Sequence, residues 1–175
     1  MKIAILISGF RRTLHHNFPK MNEIFGQYDC DYYLHLSNNE SIDQYQFVKY
    51  NMKDTIEMIN PLKCLMEDEI ECTNVYNINQ KRMWYKIYIL NKLKQEQEKI
   101  MKRKYDMVIR IRPDLLIFED EIDLSLFECN DNTIYGFKSN NNFCDEFNFG
   151  SSIAMDKYCQ LFNVFDQYNN ETKIN

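Results

Sequence analysis

Lys2-Ile3-Ala4-Ile5-Leu6-Ile7-Ser8-Gly9-Phe10-Arg11-Arg12 opens the chain, an apolar and partly β-branched run that turns polar at Ser8. A run that is apolar on both faces is the habit of a central strand in a parallel sheet, with helices covering each side. Ser8 to Arg12 breaks the pattern as a loop. Leu14, Phe18, Met21 and Phe25 follow at helical spacing. Pro19 within them requires the helix to start close by, and Gly26 is a plausible end. Asp31 to Leu36 reads as a second strand and closes a β-α-β unit of about the expected length.

Ser41 to Met58 is polar and carries little pattern, while Pro61 to Met66 suggests a short third strand. From Asn79 to Lys104 runs the longest helical signal, with an apolar stripe of Met83, Ile87, Leu90, Leu93, Ile100 and Met101. Lys94 to Lys99 reads as solvated on the other faces, and Lys102-Arg103-Lys104 suits the negative end of the helix dipole. Met107 to Arg112 is a fourth strand, stopped by Pro113. Thr133 to Phe137 is a further short strand, and Ser139 to Asn142 reads as a loop. Ser152 is placed to cap a final helix carrying Met155, Leu161, Phe162 and Phe165. Strands alternating with helices predict an α/β fold with a mostly parallel sheet between helices. With 175 residues, no repeat and no linker, residues 1–175 are expected to form a single domain.

Composition narrows the function. Hydrophobic residues make up 45% and charged residues 27%, enough for a packed core, which excludes a disordered tail. A net charge of −5 lacks the basic footprint of a nucleic-acid binder. No apolar run approaches the roughly 20 residues needed to cross a bilayer. The N-terminus reaches Arg11-Arg12 before any cleavage-like site, so it reads as structure and the expected location is cytoplasmic. Six cysteines without a C-x-x-C pair, and three histidines, offer no convincing zinc set and read as free thiols in a reducing compartment. Sequons begin at Asn39 and Asn170 and mean little without a secretion signal. Lysine outnumbers arginine 15 to 6, so each arginine carries weight, and four of the six form the pairs Arg11-Arg12 and Arg110/Arg112.

Ligands of open α/β sheets bind beyond the carboxyl ends of the strands, where three polar clusters are expected. Ser8-Gly9-Phe10-Arg11-Arg12 combines a glycine that lets backbone approach a ligand with guanidinium groups suited to phosphate. It is neither a P-loop nor a G-x-G-x-x-G fingerprint. In Arg110-Ile111-Arg112-Pro113-Asp114, strand alternation puts Val108, Arg110 and Arg112 on one face and Met107, Ile109 and Ile111 on the other. Two arginines on one face of a central strand need anionic partners. Those partners are either a diphosphate, with Asp114 holding a divalent cation on it, or an internal salt-bridge network with Asp106 or Glu119. The third cluster is Asp145-Glu146-Phe147-Asn148-Phe149-Gly150-Ser151-Ser152. A literal Asp-x-Asp, Asp29-Cys30-Asp31, falls at the start of strand two on the opposite rim and is rejected as a metal site. His15-His16 are more consistent with a helix start, and Trp84, Tyr85 and Tyr88 with core or half-buried positions, one of which could stack on a base or sugar.

Taken in order, Ser8-Gly9 with Arg12, then Tyr105-Asp106-Met107-Val108-Ile109-Arg110-Ile111-Arg112-Pro113-Asp114-Leu115, then Asp145-Glu146-Phe147-Asn148-Phe149-Gly150-Ser151 resemble a group of small GT-A-like glycosyltransferases. Such proteins occur in bacterial polysaccharide clusters and in large DNA viruses. The likeness spans roughly Lys2 to Phe162, and its R-x-R-P-D block is the most specific part. It implies a GT-A-like (Rossmann-like) fold, a nucleoside-diphosphate sugar as donor, a glycan or protein-glycan acceptor, and Mn²⁺ or Mg²⁺ on the diphosphate. By the same resemblance Ser8, Gly9, Arg12, Arg110 and Arg112 bind the nucleotide sugar and Asp114 stands where the final aspartate of a D-x-D would stand. Arg112 replaces the first aspartate. Asp145 is the candidate general base toward an acceptor hydroxyl if the enzyme inverts, and orients the acceptor if it retains. The competing expectation is a non-catalytic nucleotide-sugar-binding or scaffold module that kept the fold, favoured by the missing aspartate. A nicotinamide oxidoreductase is disfavoured by the absent glycine fingerprint.

Overall fold

The computed structural model describes residues 1–38, 51–71, 77–118, 122–139 and 142–171. The sequon at Asn39, Glu119 and most of the Ser41–Met58 stretch lie outside the described residues. Five helices and six strands follow in the order β1 (Lys2–Gly9), α1 (Leu14–Phe25), β2 (Asp29–Ser37), α2 (Met52–Ile59), β3 (Lys63–Glu67), α3 (Ile78–Met101), β4 (Met107–Ile111), β5 (Ile134–Ser139), β6 (Asn142–Gly150), α4 (Ser152–Cys159) and α5 (Leu161–Glu171) among the described residues.

The strands form one mixed sheet in the order β3-β2-β1-β4-β6-β5. β3, β2, β1 and β4 run parallel, and β6 then lies antiparallel between β4 and β5. Strand alternation sorts the side chains into two layers. Ile3, Ile5 and Ile7 of β1, with Ile109 and Ile111 of β4, pack under Leu14, Phe18, Met21 and Phe25 of α1. Ala4 and Leu6 share the opposite face with Tyr33, Val108, Leu90 of α3 and Met155 of α4. Each fully buried Ile or Leu is worth about 1.5–3 kcal/mol, so β1, buried from Ile3 to Ile7, anchors both layers. The fold is therefore α/β with a mostly parallel sheet between helices, as expected. No helix among the described residues is long and apolar enough to cross a membrane.

Four local expectations are corrected. Asn142–Gly150 is a strand, not the end of a loop followed by a rim cluster, because alternating Phe147 and Phe149 bury against the α1 layer. Its antiparallel course splits the third polar cluster: Glu146 pairs with the C-terminal end of β4, whereas Gly150 sits opposite Val108 and Ser151 beyond it. Ser151, not Ser152, caps α4, accepting from the Ala154 amide at 3.1 Å, and the chain turns at Gln160 before α5. On α3, Ile100 is 71% exposed while Lys94 and Glu98, expected in solvent, are buried. The Lys94 ammonium donates to Ser152 at 2.6 Å and to Asp156 at 2.9 Å, and Glu98 accepts from Lys104 at 2.9 Å and from the Tyr105 amide at 3.1 Å. A satisfied ion network takes the place of apolar packing under the C-terminal half of the helix.

Candidate functional site

From β1 the chain winds outward to β2 and β3 on one side, and β4 enters on the other side of β1. The carboxyl ends of β1 and β4 thus flank the point where the strand order reverses, the usual ligand crevice of an open α/β sheet. Ser8 continues the Ala4 and Leu6 face, and Arg110 and Arg112 continue the Val108 face, so all three look toward α3. The N-terminal turns of α3 roof them with Asn79, Gln80, Arg82, Met83 and Lys86. The result is a cleft of about 480 Å³, completed by Gly9, Phe10, Arg12, Glu69, Pro113 and Asp114. Asn77 caps α3, its side chain accepting from the Gln80 amide at 3.2 Å, so the positive end of the helix dipole lies beside the cleft.

The loop after β1 holds an unusual backbone. Gly9 has φ +133°, a conformation closed to residues with a side chain, and an added Cβ would stand 3.5 Å from the Pro113 ring. Arg12 also takes a positive φ, 35°. Left-handed backbone costs a non-glycine residue about 1–2 kcal/mol. The strained position sends the Arg12 guanidinium onto Asp114 and over the Phe10 ring at 5.7 Å.

The cleft walls carry polar groups that the protein leaves unsatisfied. Arg110 is wholly buried, yet Nε, Nη1 and Nη2 all lack a hydrogen-bond partner among the described residues. Burial pulls its guanidinium below the ordinary value, with Asp145 opposing and Arg112 reinforcing that shift. An arginine nevertheless stays charged in a protein. The Ser8 hydroxyl and the Lys86 ammonium are likewise buried without a hydrogen bond, although Lys86 lies 3.5 Å from a Glu69 oxygen. Buried polar groups are nearly always partnered, so three side chains without a hydrogen bond on one cleft mark it as the candidate site.

The neighbouring charges are paired. Arg112 donates to both oxygens of Asp114, from Nε to Oδ1 at 2.9 Å and from Nη2 to Oδ2 at 2.7 Å, and Nη1 reaches Glu146 at 2.9 Å. Burial alone would raise the Asp114 carboxyl, but hydrogen bonds from Arg112 and Arg12 outweigh it and hold the group below its ordinary range. Both Asp114 oxygens are therefore committed to guanidinium groups. No cluster of three acidic, histidine or cysteine ligands occurs among the described residues. A Mn²⁺ or Mg²⁺ on a diphosphate takes one or two carboxylates beside the phosphate oxygens. Asp114, the one carboxylate the resemblance assigns, has both oxygens on guanidinium groups, so this donor set does not fit the implied ion.

Six residues singled out in the sequence, Ser8, Gly9, Arg12, Arg110, Arg112 and Asp114, line this one cleft. Asp145 does not line it; half-buried on β6, it acts on Arg110 and Arg112 through its charge. Arg82, Lys86 and Glu69 were missed. Two of the three had signals: Arg82 is one of only six arginines, and Lys86 falls four residues before Leu90 on the buried face of α3. The expected alternative, an internal salt-bridge network, is present for Arg112, but through Asp114 and Glu146. Asp106 instead accepts from Arg103 and the Lys2 amide, and Glu119 lies outside the described residues. Asp29 and Asp31 both accept from Lys2 at 2.8 and 2.9 Å on the opposite rim. His15 faces Thr55 of α2 at 3.3 Å. Trp84 packs edge-on to Tyr158, and Tyr85 and Tyr88 pack against Phe162, which binds α3 to α4 and α5.

No protein-family model and no curated protein matches the sequence. Among solved structures, the chain is similar to the apo form of the glycosyltransferase GlyE from Streptococcus pneumoniae TIGR4, with a TM-score of 0.55 and 11% identity. The match covers 100% of this chain and 40% of that one, so the chain spans well under half the length of its neighbour. At this identity the likeness is one of fold: this chain's six-stranded, mostly parallel sheet flanked by helices resembles part of that structure.

Proposed function

We propose that the chain transfers a sugar from a nucleoside-diphosphate sugar to a glycan or other hydroxyl acceptor. The observation that carries this reading is the buried Arg110 guanidinium at the strand-order reversal, which has no hydrogen-bond partner among the described residues. Beside it stand the Ser8 hydroxyl, equally unbonded, and Lys86, held only by its ion pair with Glu69. A diphosphate supplies the missing acceptors and charge. Arg12, Arg110 and Arg112 offset that charge, most strongly as it grows on the departing nucleoside diphosphate, which is electrostatic catalysis by preorganised donors. Ser8 and Gly9 let the β1 loop approach the phosphates closely. Asp145, whose charge reaches Arg110 and Arg112, is assigned to the acceptor hydroxyl as general base. The glycosyltransferase-like fold supports the class of reaction.

A second reading, a module that binds nucleotide sugar without turnover, is favoured by one observation: Asp114, the expected D-x-D carboxylate, is tied up by arginines. A thermal-shift screen against UDP-, GDP-, dTDP- and CDP-sugars, each with EDTA or Mn²⁺, tests the donor class. A ligand at a hundredfold excess over Kd adds about 2.7 kcal/mol to the native state. A shift with one nucleotide, followed by release of that nucleoside diphosphate on incubation with glycan acceptors, is expected. A shift without release selects the binding module, and no shift with any donor sinks both readings.

A further inference from the structure

We infer that the cleft holds its diphosphate with protein cations alone, and that Asp114 is an internal counter-anion displaced by the diphosphate rather than a ligand to a divalent metal. This rests on the nucleoside-diphosphate reading above. Five cationic side chains line the cleft, Arg12, Arg82, Lys86, Arg110 and Arg112, against two carboxylates, Glu69 and Asp114. A divalent cation placed among them meets like charge on most sides and finds both Asp114 oxygens already accepting from guanidinium groups. Glu69 is similarly occupied: it accepts from the Ser37 hydroxyl and lies 3.5 Å from Lys86 and 3.9 Å from Arg82.

An anion fits where a cation does not. Arg110 and Lys86, approaching from the sheet and from α3, are both buried without a hydrogen bond among the described residues, Lys86 keeping only its ion pair with Glu69. Arg112 and Arg12, about a third exposed, are the movable members. In the free protein Asp114 accepts their hydrogen bonds and keeps two like charges from repelling. A phosphate group entering beside Arg110 offers stronger, multiply accepting oxygens, and the planar guanidinium forks can rotate onto it. Asp114 then competes with the ligand for the same donors. Lys86 and Arg82, on one face of α3 four residues apart, become diphosphate ligands of the roof.

Isothermal titration calorimetry on the full chain tests this with UDP, GDP, CDP, dTDP and inorganic pyrophosphate, in EDTA and in Mn²⁺. Binding of at least one nucleoside diphosphate in EDTA is expected, with an affinity that Mn²⁺ changes by less than about threefold, well under one decade. Asp114→Asn is expected to bind about tenfold tighter, the equivalent of one charge-assisted hydrogen bond no longer contested, and Lys86→Met about tenfold weaker. The EDTA comparison on the wild-type chain needs no variant to fold. Binding that requires Mn²⁺, or that weakens in Asp114→Asn, overturns the metal-free clamp while keeping the nucleoside-diphosphate reading. No binding of any of these ligands in either condition overturns that reading and the clamp together.

Discussion

Arg112 and Asp114, separated by Pro113, close a two-point ion pair in which Nε meets Oδ1 at 2.9 Å and Nη2 meets Oδ2 at 2.7 Å. Pro113 fixes the turn between them, and its ring lies against Gly9, so the pair is tied to the loop after β1. The geometry makes Asp114 an acid-sensitive element of the fold. Its folded carboxyl sits below the ordinary 3.8, because hydrogen bonds from Arg112 and Arg12 exceed the opposing effect of burial. A carboxyl with a depressed folded pKa contributes stability that is fully present above its unfolded value and lost as pH falls through the folded one. Asp114→Asn is therefore expected to lower stability at neutral pH by about 1–3 kcal/mol and to flatten the stability curve below about pH 4. Urea unfolding from pH 7 to pH 2 measures it. Parallel curves for the two proteins would mean that the pair contributes nothing on balance.

Arg110 carries the opposite trade. A buried cation without hydrogen-bond partners costs the free protein, and an apolar side chain of similar reach removes that cost. Arg110→Met should stabilise the unliganded chain by about 1–3 kcal/mol and eliminate stabilisation by nucleoside diphosphate. Urea titrations with and without ligand separate the two effects. A destabilised unliganded variant would show that Arg110 holds the sheet together, through Asp145 and its surroundings, and would remove the ground for an anion site.

Much of this cleft was legible because strand physics is local. The apolar run from Ile3 to Ile7 could only be a central strand, and alternation through Val108, Arg110 and Arg112 put both arginines on one face without any knowledge of tertiary partners. What the sequence hid depends on packing between distant segments. Lys86 shares the buried face of α3 with Leu90, but what it faces is decided only once the roof over β1 and β4 exists. Lys94 looked solvated because its partners Ser152 and Asp156 lie more than fifty residues on, and Glu98 because only the folded turn beyond α3 brings Lys104 and the Tyr105 amide back onto it. The β6 strand was concealed by polar Asp145 and Glu146, which sit at the rim while Phe147 and Phe149 do the packing. Asp114 was placed beside the arginine pair from sequence, and it lines the cleft with them. That both of its oxygens are taken by arginines required the fold of the β1 loop.

The Lys94 network provides a control far from the cleft. Lys94 is fully buried and joins Glu98, Ser152 and Asp156 at the opposite end of α3. Removing one partner of such a group strands the others in a poorly solvated site, typically at a cost of about 3–5 kcal/mol. Lys104 still pairs with Glu98 and Asp156, so Lys94→Met is expected near the lower end of that range. Thermal unfolding measures the loss, and nucleoside-diphosphate affinity should stay within about twofold, since distant sites behave independently. A variant as stable as wild type would mean that the network is replaceable by apolar packing.

Asp145 is the sharpest test of catalysis as opposed to binding. It stands on β6 beside the end of β4, near enough for its charge to act on Arg110 and Arg112, but outside the cleft wall itself. A general base must meet the acceptor rather than the donor, which suits a carboxylate next to the diphosphate clamp and not within it. Asp145→Asn keeps the size of the side chain and removes its basicity. Transfer should fall by about 10²–10⁴ in kcat, while donor affinity changes by less than about threefold. Slow hydrolysis of the donor, which needs the diphosphate clamp more than an acceptor base, should fall less than transfer. If donor affinity and turnover drop together, Asp145 instead positions Arg110 and Arg112, and the acceptor base lies elsewhere.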